Sequence, residues 1–234
     1  MRRKRGDQYI GKMNWRVFFV QADGSVSGSA ALGNASENIT PFNTLAHSFL
    51  QWPLHRLASG FPNLADCIHL GRRVAERQNR LFTFDMMRQT FTLALMRNYL
   101  DFRFPDLCNL VIGDGYGVLA TLFAMHAPHR KTIAVNLTKP LLLDLAYFAR
   151  ALPEAGVALV ADGEEMQAAL GDDAIRVIGV RADDALCIAE AAIGIAANVV
   201  SMQEMDPPRD RRLFLAASRQ QGRTDGFLLL QQAL

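Results

Sequence analysis

The sequence predicts an α/β protein: a parallel sheet with helices on both faces, preceded by a helical N-terminal region. Three observations carry this reading. From Leu45 to Leu100 apolar residues recur at intervals of three and four (Leu50, Leu54, Leu57; then Leu81, Phe84, Met87, Phe91, Leu95), which is the period of an amphipathic helix. Beyond Pro105 the apolar residues gather into short runs with helical spacing between most of them, and strands alternating with helices make parallel βαβ units. The first of those runs leads straight into three alternating glycines, Gly113, Gly115 and Gly117, the kind of turn that joins a strand to a helix around a ligand.

The elements follow in order. Residues 21–43 are rich in Gly, Ser, Ala and Asn, a composition of turns and mobile loops, so residues 1–44 are expected to be a flexible N-terminal segment. Residues 45–105 form the helical region, a lid, with a break near Gly60 to Asn63. Residues 106–234 form the sheet domain. Its strands are expected at Leu107 to Ile112, Thr132 to Val135, Val157 to Val160, Ile175 to Val180, Ile193 to Val200 and Leu213 to Ala217, and its helices at Val118 to Met125, Leu141 to Leu152 and Ala185 to Ala191. Only Ser218 to Leu234 follow the last run, little room for a closing antiparallel hairpin, so either the sheet is trimmed or the chain is a fragment.

Composition bounds the function. The chain has 234 residues, 50% hydrophobic and 21% charged, enough to bury a core in one or two domains. Twenty-five basic residues against 23 acidic ones give a formal charge of +2, too weak a field to hold a nucleic acid, and Arg2 to Arg5 read as a solvated end. Cys67, Cys108 and Cys187 show no CxxC pair, which suits free thiols in a reducing cytosol. The longest stretch free of Asp, Glu, Lys and Arg, Asn38 to His55, contains Pro41 and Pro53 and is not a bilayer span; no secretory leader follows the basic start. No His, Cys and carboxylate set has metal-ligand spacing.

The glycine loop is the most informative motif. A dinucleotide fingerprint, GxGxxG, would place its third glycine at position 118, where this chain has Val118. The observed spacing is GxGxG, and Asn136 ends the next strand where an acid would bind ribose hydroxyls. Asn136 can meet a ribose or cap the following helix. Val111 stands two places before the first glycine.

The GxGxG loop resembles motif I of the class I S-adenosylmethionine-dependent methyltransferases. Together with Asn136-Leu137-Thr138-Lys139-Pro140-Leu141-Leu142-Leu143-Asp144-Leu145 and Asn198-Val199-Val200-Ser201-Met202-Gln203-Glu204-Met205-Asp206-Pro207, of which Ser201 to Met205 is the most specific part, it is similar to a sugar O-methyltransferase family within that superfamily, over residues 80–220. The resemblance implies a Rossmann-like class I methyltransferase sheet, S-adenosyl-L-methionine as cofactor, and transfer of a methyl group to a hydroxyl of a small-molecule or glycan acceptor. It places the cofactor against Gly113, Asp114, Gly115, Tyr116 and Gly117, with Asn136 at the ribose, Asp183 or Asp184 near the adenine, and Ser201, Gln203 and Glu204 after a later strand. Glu204 is the candidate base, or else an acid that favours a helix start. One of His47, His55 and His69 is an alternative base in the lid, while His126 and His129 suit a helix C-terminus. Tyr116, Trp52 and Trp15 are candidates for stacking on a sugar or adenine; for Trp52, with Phe49 three residues before it, core packing is the preferred expectation. Two other readings stay open: a methyltransferase-like binding module without catalysis, and a nicotinamide-dependent oxidoreductase, against which Val118 and Asn136 both speak.

Overall fold

The computed structural model describes residues 9–13, 16–20, 26–28 and 39–198. Three short strands come first: β1 (Tyr9–Met13), β2 (Arg16–Val20) and β3 (Val26–Gly28) pair antiparallel in that order. They lie in the segment expected to be flexible. The Arg-Val-Phe-Phe-Val run of β2 is rich in residues that favour extended backbone, a signal that the Gly and Ser content of the neighbouring loop obscures.

The helical region consists of α1 (Pro41–Ala58), α2 (Leu64–Arg77) and α3 (Phe84–Tyr99). Thr40 and Thr83 cap α1 and α3, their hydroxyls accepting the amides of Asn43 and Met86, so each helix begins where a side chain satisfies an orphan donor. The break expected at Gly60 to Asn63 separates α1 from α2. A second break, at residues 78–83, divides what the apolar period presents as continuous.

The main sheet is parallel throughout, with β4 (Cys108–Ile112), β5 (Thr132–Asn136), β6 (Gly156–Val160), β7 (Ile175–Arg181) and β8 (Ile193–Asn198) arranged in the order β6-β7-β5-β4-β8. Between the strands run α4 (Val118–His126), α5 (Thr138–Ala151), α6 (Gly163–Gly171) and a 3₁₀ segment (Ala182–Glu190). Helix α6 carries its own cap, Asp162 accepting the Glu165 amide at 2.9 Å. This is an α/β fold of Rossmann-like character with helices on both faces.

Side chains alternate across the sheet. Val111 and Ile195 join a core with α2, α3 and α4 that includes Met87, Leu93, Met96, Leu119 and Phe123. Leu110, Ile112, Ile133, Val135, Ile178 and Val180 point to the other face, against Met166 of α6 and Ile188. Each fully buried aliphatic side chain of this kind stabilises the fold by about 1.5–3 kcal/mol relative to exposure. Arg130, 1% exposed, ties the segment after α3 to the base of β4: it donates to the carbonyls of Phe104 (2.7 Å) and Asp101 (3.1 Å) and to Asn109 Oδ1 (3.4 Å).

Strand order locates the ligand crevice. From β4 the chain passes to β5 on one side and later returns to β8 on the other, so neighbouring connections diverge above the carboxyl ends of β4 and β8. In open parallel sheets ligands bind at that divergence, and here it holds the glycine loop.

Candidate functional site

The loop after β4 is built from left-handed glycines. Gly113, Gly115 and Gly117 have φ of 70°, 80° and 61°, a region that costs other L-residues roughly 1–2 kcal/mol each. The Gly113 amide extends the ladder by donating to the Val135 carbonyl at 2.8 Å. Around Gly115 the space where a Cβ would stand is open to 4 Å, whereas at Gly117 it would lie 2.3 Å from the Asp144 carbonyl oxygen.

Asp114 turns back over the start of α4. Its Oδ1 accepts the Leu119 amide at 2.9 Å and its Oδ2 the Ala120 amide at 2.7 Å. A helix N-terminus otherwise offers those amides and a partial positive charge to an anion; here the loop's own carboxylate takes them.

Beneath the loop, α5 contributes Asp144, 2% exposed. Its Oδ1 accepts the Gly117 amide at 3.2 Å and its Oδ2 accepts Asn136 Nδ2 at 2.8 Å, while Asn136 Oδ1 accepts the Leu137 amide at 2.9 Å. Asn136 therefore stands at the expected strand end, and its amide group braces Asp144 against the loop. Burial pushes the Asp114 carboxyl up to about 6, against the amides of α4 and the nearby Arg80. Burial, and then the charge of Asp114, raise Asp144 well above the ordinary carboxylate range.

A cation reaches the loop from the helical region. Asn79, at φ 52°, closes α2 with the Arg80 amide donating to the Ala75 carbonyl (2.8 Å) and the Asn79 amide to the Glu76 carbonyl (2.9 Å), a left-handed helix end of the Schellman type. That turn delivers the Arg80 guanidinium to 4.1 Å from the Tyr116 ring centre and 4.8 Å from that of Tyr147, a double cation–π contact. Gln78 Nε2 donates to the carbonyls of Tyr116 and Tyr147, each at 3.4 Å. Tyr116, a candidate for stacking on a ligand, thus gives one face to Arg80 and meets Tyr147 edge to face.

The remaining candidates are placed as follows. Asp183 is exposed at the start of the 3₁₀ segment after β7, at the same sheet edge, while Asp184 accepts Arg181 Nε at 2.6 Å. Ser201, Gln203, Glu204 and Trp15 lie outside the described residues. His47 Nδ1 accepts the Phe84 amide at 3.3 Å, so that nitrogen is committed to holding α1 on α3. His126 packs edge-on to Phe102, and burial lowers it to about 4; His129 Nε2 meets the Phe102 carbonyl at 2.7 Å. All three cysteines are free and buried, and burial pushes Cys108 and Cys187 to about 11, which makes them poor nucleophiles. Phe49 and Trp52 depart from expectation: they are 79% and 58% exposed, because α1 docks through its opposite face.

The chain matches no family model, and no curated protein or solved structure shows significant similarity to it. Among the described residues no group of three or more His, Cys, Asp or Glu could hold a metal ion, and no helix is long and apolar enough to cross a membrane.

Asp144, Arg80, Gln78 and Tyr147 are absent from the sequence-based site. Asp144 carried a visible signal: it is the one charged residue in Pro140-Leu-Leu-Leu-Asp-Leu-Ala-Tyr-Phe-Ala149, and a lone acid in an apolar helix needs a partner. Chemically, the arrangement is a left-handed glycine loop at a sheet switch point, open at Gly115, whose anion-binding amides are already occupied by a carboxylate.

Proposed function

We propose that the chain is an S-adenosylmethionine-dependent O-methyltransferase acting on a hydroxyl of a sugar or glycan. The observation that carries the cofactor class is the Asp114 carboxylate on the Leu119 and Ala120 amides. A pyrophosphate would have to displace that charge, so a nicotinamide dinucleotide is disfavoured. A ligand without phosphate and with a positive centre, as an adenosyl sulfonium has, meets bare backbone at Gly115 beside the Asp114 carboxylate. The sugar acceptor rests on the sequence resemblance alone.

When bound, S-adenosylmethionine supplies an already activated methyl group. The residues proposed to hold it are Gly113, Asp114, Gly115, Tyr116 and Gly117, with Asn136 and Asp183 at the neighbouring strand ends and Ser201 beyond β8. The protein's own tasks are to align the acceptor oxygen and to take its proton, for which Glu204 is the proposed base. The buried free thiols fit the cytoplasmic location proposed for it.

A second reading, a binding module without catalysis, is favoured by Asn136, whose amide group serves Asp144 and Leu137. Calorimetric titration separates the alternatives. S-adenosylhomocysteine is expected to bind and NAD is not, and Gly115→Arg is expected to abolish the heat by filling the open side of the loop. Binding of NAD in place of S-adenosylhomocysteine would overturn the proposal, and binding of neither at millimolar ligand would favour the module. Methyl transfer to a panel of glycans then distinguishes enzyme from module.

A further inference from the structure

Helix α1 is amphipathic with its polarity inverted. It docks on the body through polar groups together with one apolar side chain: Gln51, 5% exposed, donates to the Phe82 carbonyl at 2.8 Å, His47 accepts the Phe84 amide, and Leu54 packs against the core. On the opposite side Phe42, Leu45, Phe49 and Trp52 form a stripe in which each side chain is between 58% and 79% exposed. A surface helix ordinarily presents the reverse arrangement.

We infer that this stripe is the self-association face of the protein, where α1 of one copy packs antiparallel on α1 of a second. Three features favour a second copy as the occupant. The spacing of three, four and three along the stripe is that of a helix–helix seam. The four side chains expose roughly 600 Å² of apolar surface per copy, and Leu50 and Leu57 on the flank raise it toward the ~800 Å² per partner of a stable interface. From Ile39 to Ala58 the only formal charge is Arg56, so no like charges oppose pairing within the stripe.

Arg56 also sets the orientation. Its guanidinium lies 5.1 Å from the Trp52 ring centre, at the end of the stripe one helical step beyond Trp52. Parallel pairing would bring two Arg56 groups together; antiparallel pairing about Phe49 separates them and sets each against the partner's Phe42. A helix that lies on a lipid surface is instead expected to carry several basic residues along its margins, and α1 has one.

Sedimentation velocity on the full chain tests this. A dimer is expected at micromolar concentrations, and Phe49→Glu is expected to be monomeric there, with the melting temperature that the parent shows once diluted to a monomer. Mixing Phe49→Glu with Phe49→Lys is expected to restore the dimer, because residue 49 meets itself across the two-fold. A monomeric parent chain, a dimer that survives Phe49→Glu, or a mixture that stays monomeric overturns the inference. So does a melting temperature of Phe49→Glu below that of the diluted, monomeric parent, which would place part of the same chain over the stripe. Co-sedimentation of a monomeric parent with phosphatidylglycerol vesicles would overturn it in favour of a lipid surface.

Discussion

Asp144 grips Gly117 twice: its carboxylate accepts the Gly117 amide at 3.2 Å, and its carbonyl oxygen occupies the space, 2.3 Å away, that a Cβ on Gly117 would need. The glycine loop is thereby fastened to α5 as well as to β4 and α4. Its shape is held by packing in addition to the freedom of its glycines.

Gly117→Ala is expected to lose about 3 kcal/mol of stability, from the left-handed backbone and the collision with α5 together. Gly115→Ala, with the same backbone strain but open space, is expected to lose only about 1–2 kcal/mol. Urea midpoints at constant m-value give the order; equal losses would remove Asp144 as the constraint.

The buried acids predict a pH dependence. A carboxyl raised in the folded state binds its proton more tightly there than in the unfolded chain, so its contribution to stability is greatest at low pH. That contribution declines as pH rises from about 4, the unfolded value, through about 6, where Asp114 titrates. Asp144→Asn removes one acid of the pair, so its stability is expected to fall less steeply between pH 5 and 7. Denaturation at the two pH values measures the difference, and parallel slopes would count against the raised Asp144.

Arg80→Ala is expected to cost about 2–4 kcal/mol, since it removes a buried cation from two aromatic faces and leaves a void beside the loop. Arg80→Lys should recover less than half of that, because an ammonium does not stack as a planar guanidinium does. Chemical denaturation of both variants checks the ranking.

Asp114→Ala removes the cap from α4 at a cost of about 1 kcal/mol and frees two amides. Inorganic phosphate is then expected to raise the melting temperature of this variant and leave the parent unchanged. A parent stabilised equally by phosphate would show that Asp114 does not block the site.

The alternation of short apolar runs with helical segments determined the parallel sheet and the positions of its five described strands, because a strand buried on both faces must be apolar along its length; the run at Leu213 to Ala217 lies outside the described residues. The alternating glycines likewise marked the loop, since only glycine adopts that backbone at little cost. Strand order, and with it the crevice, came from tertiary pairing. So did the roles of individual polar groups: Asn136 could have met a ribose or capped a helix, and it braces Asp144 because α5 carries that acid to the end of β5. Phe49 and Trp52 have the spacing of core residues, yet they face outward because His47 and Gln51 found backbone partners, and Leu54 a core contact, on the other side of α1. Periodicity shows that a helix has two unlike faces; which one is buried depends on the hydrogen-bonding groups that the rest of the chain brings against it.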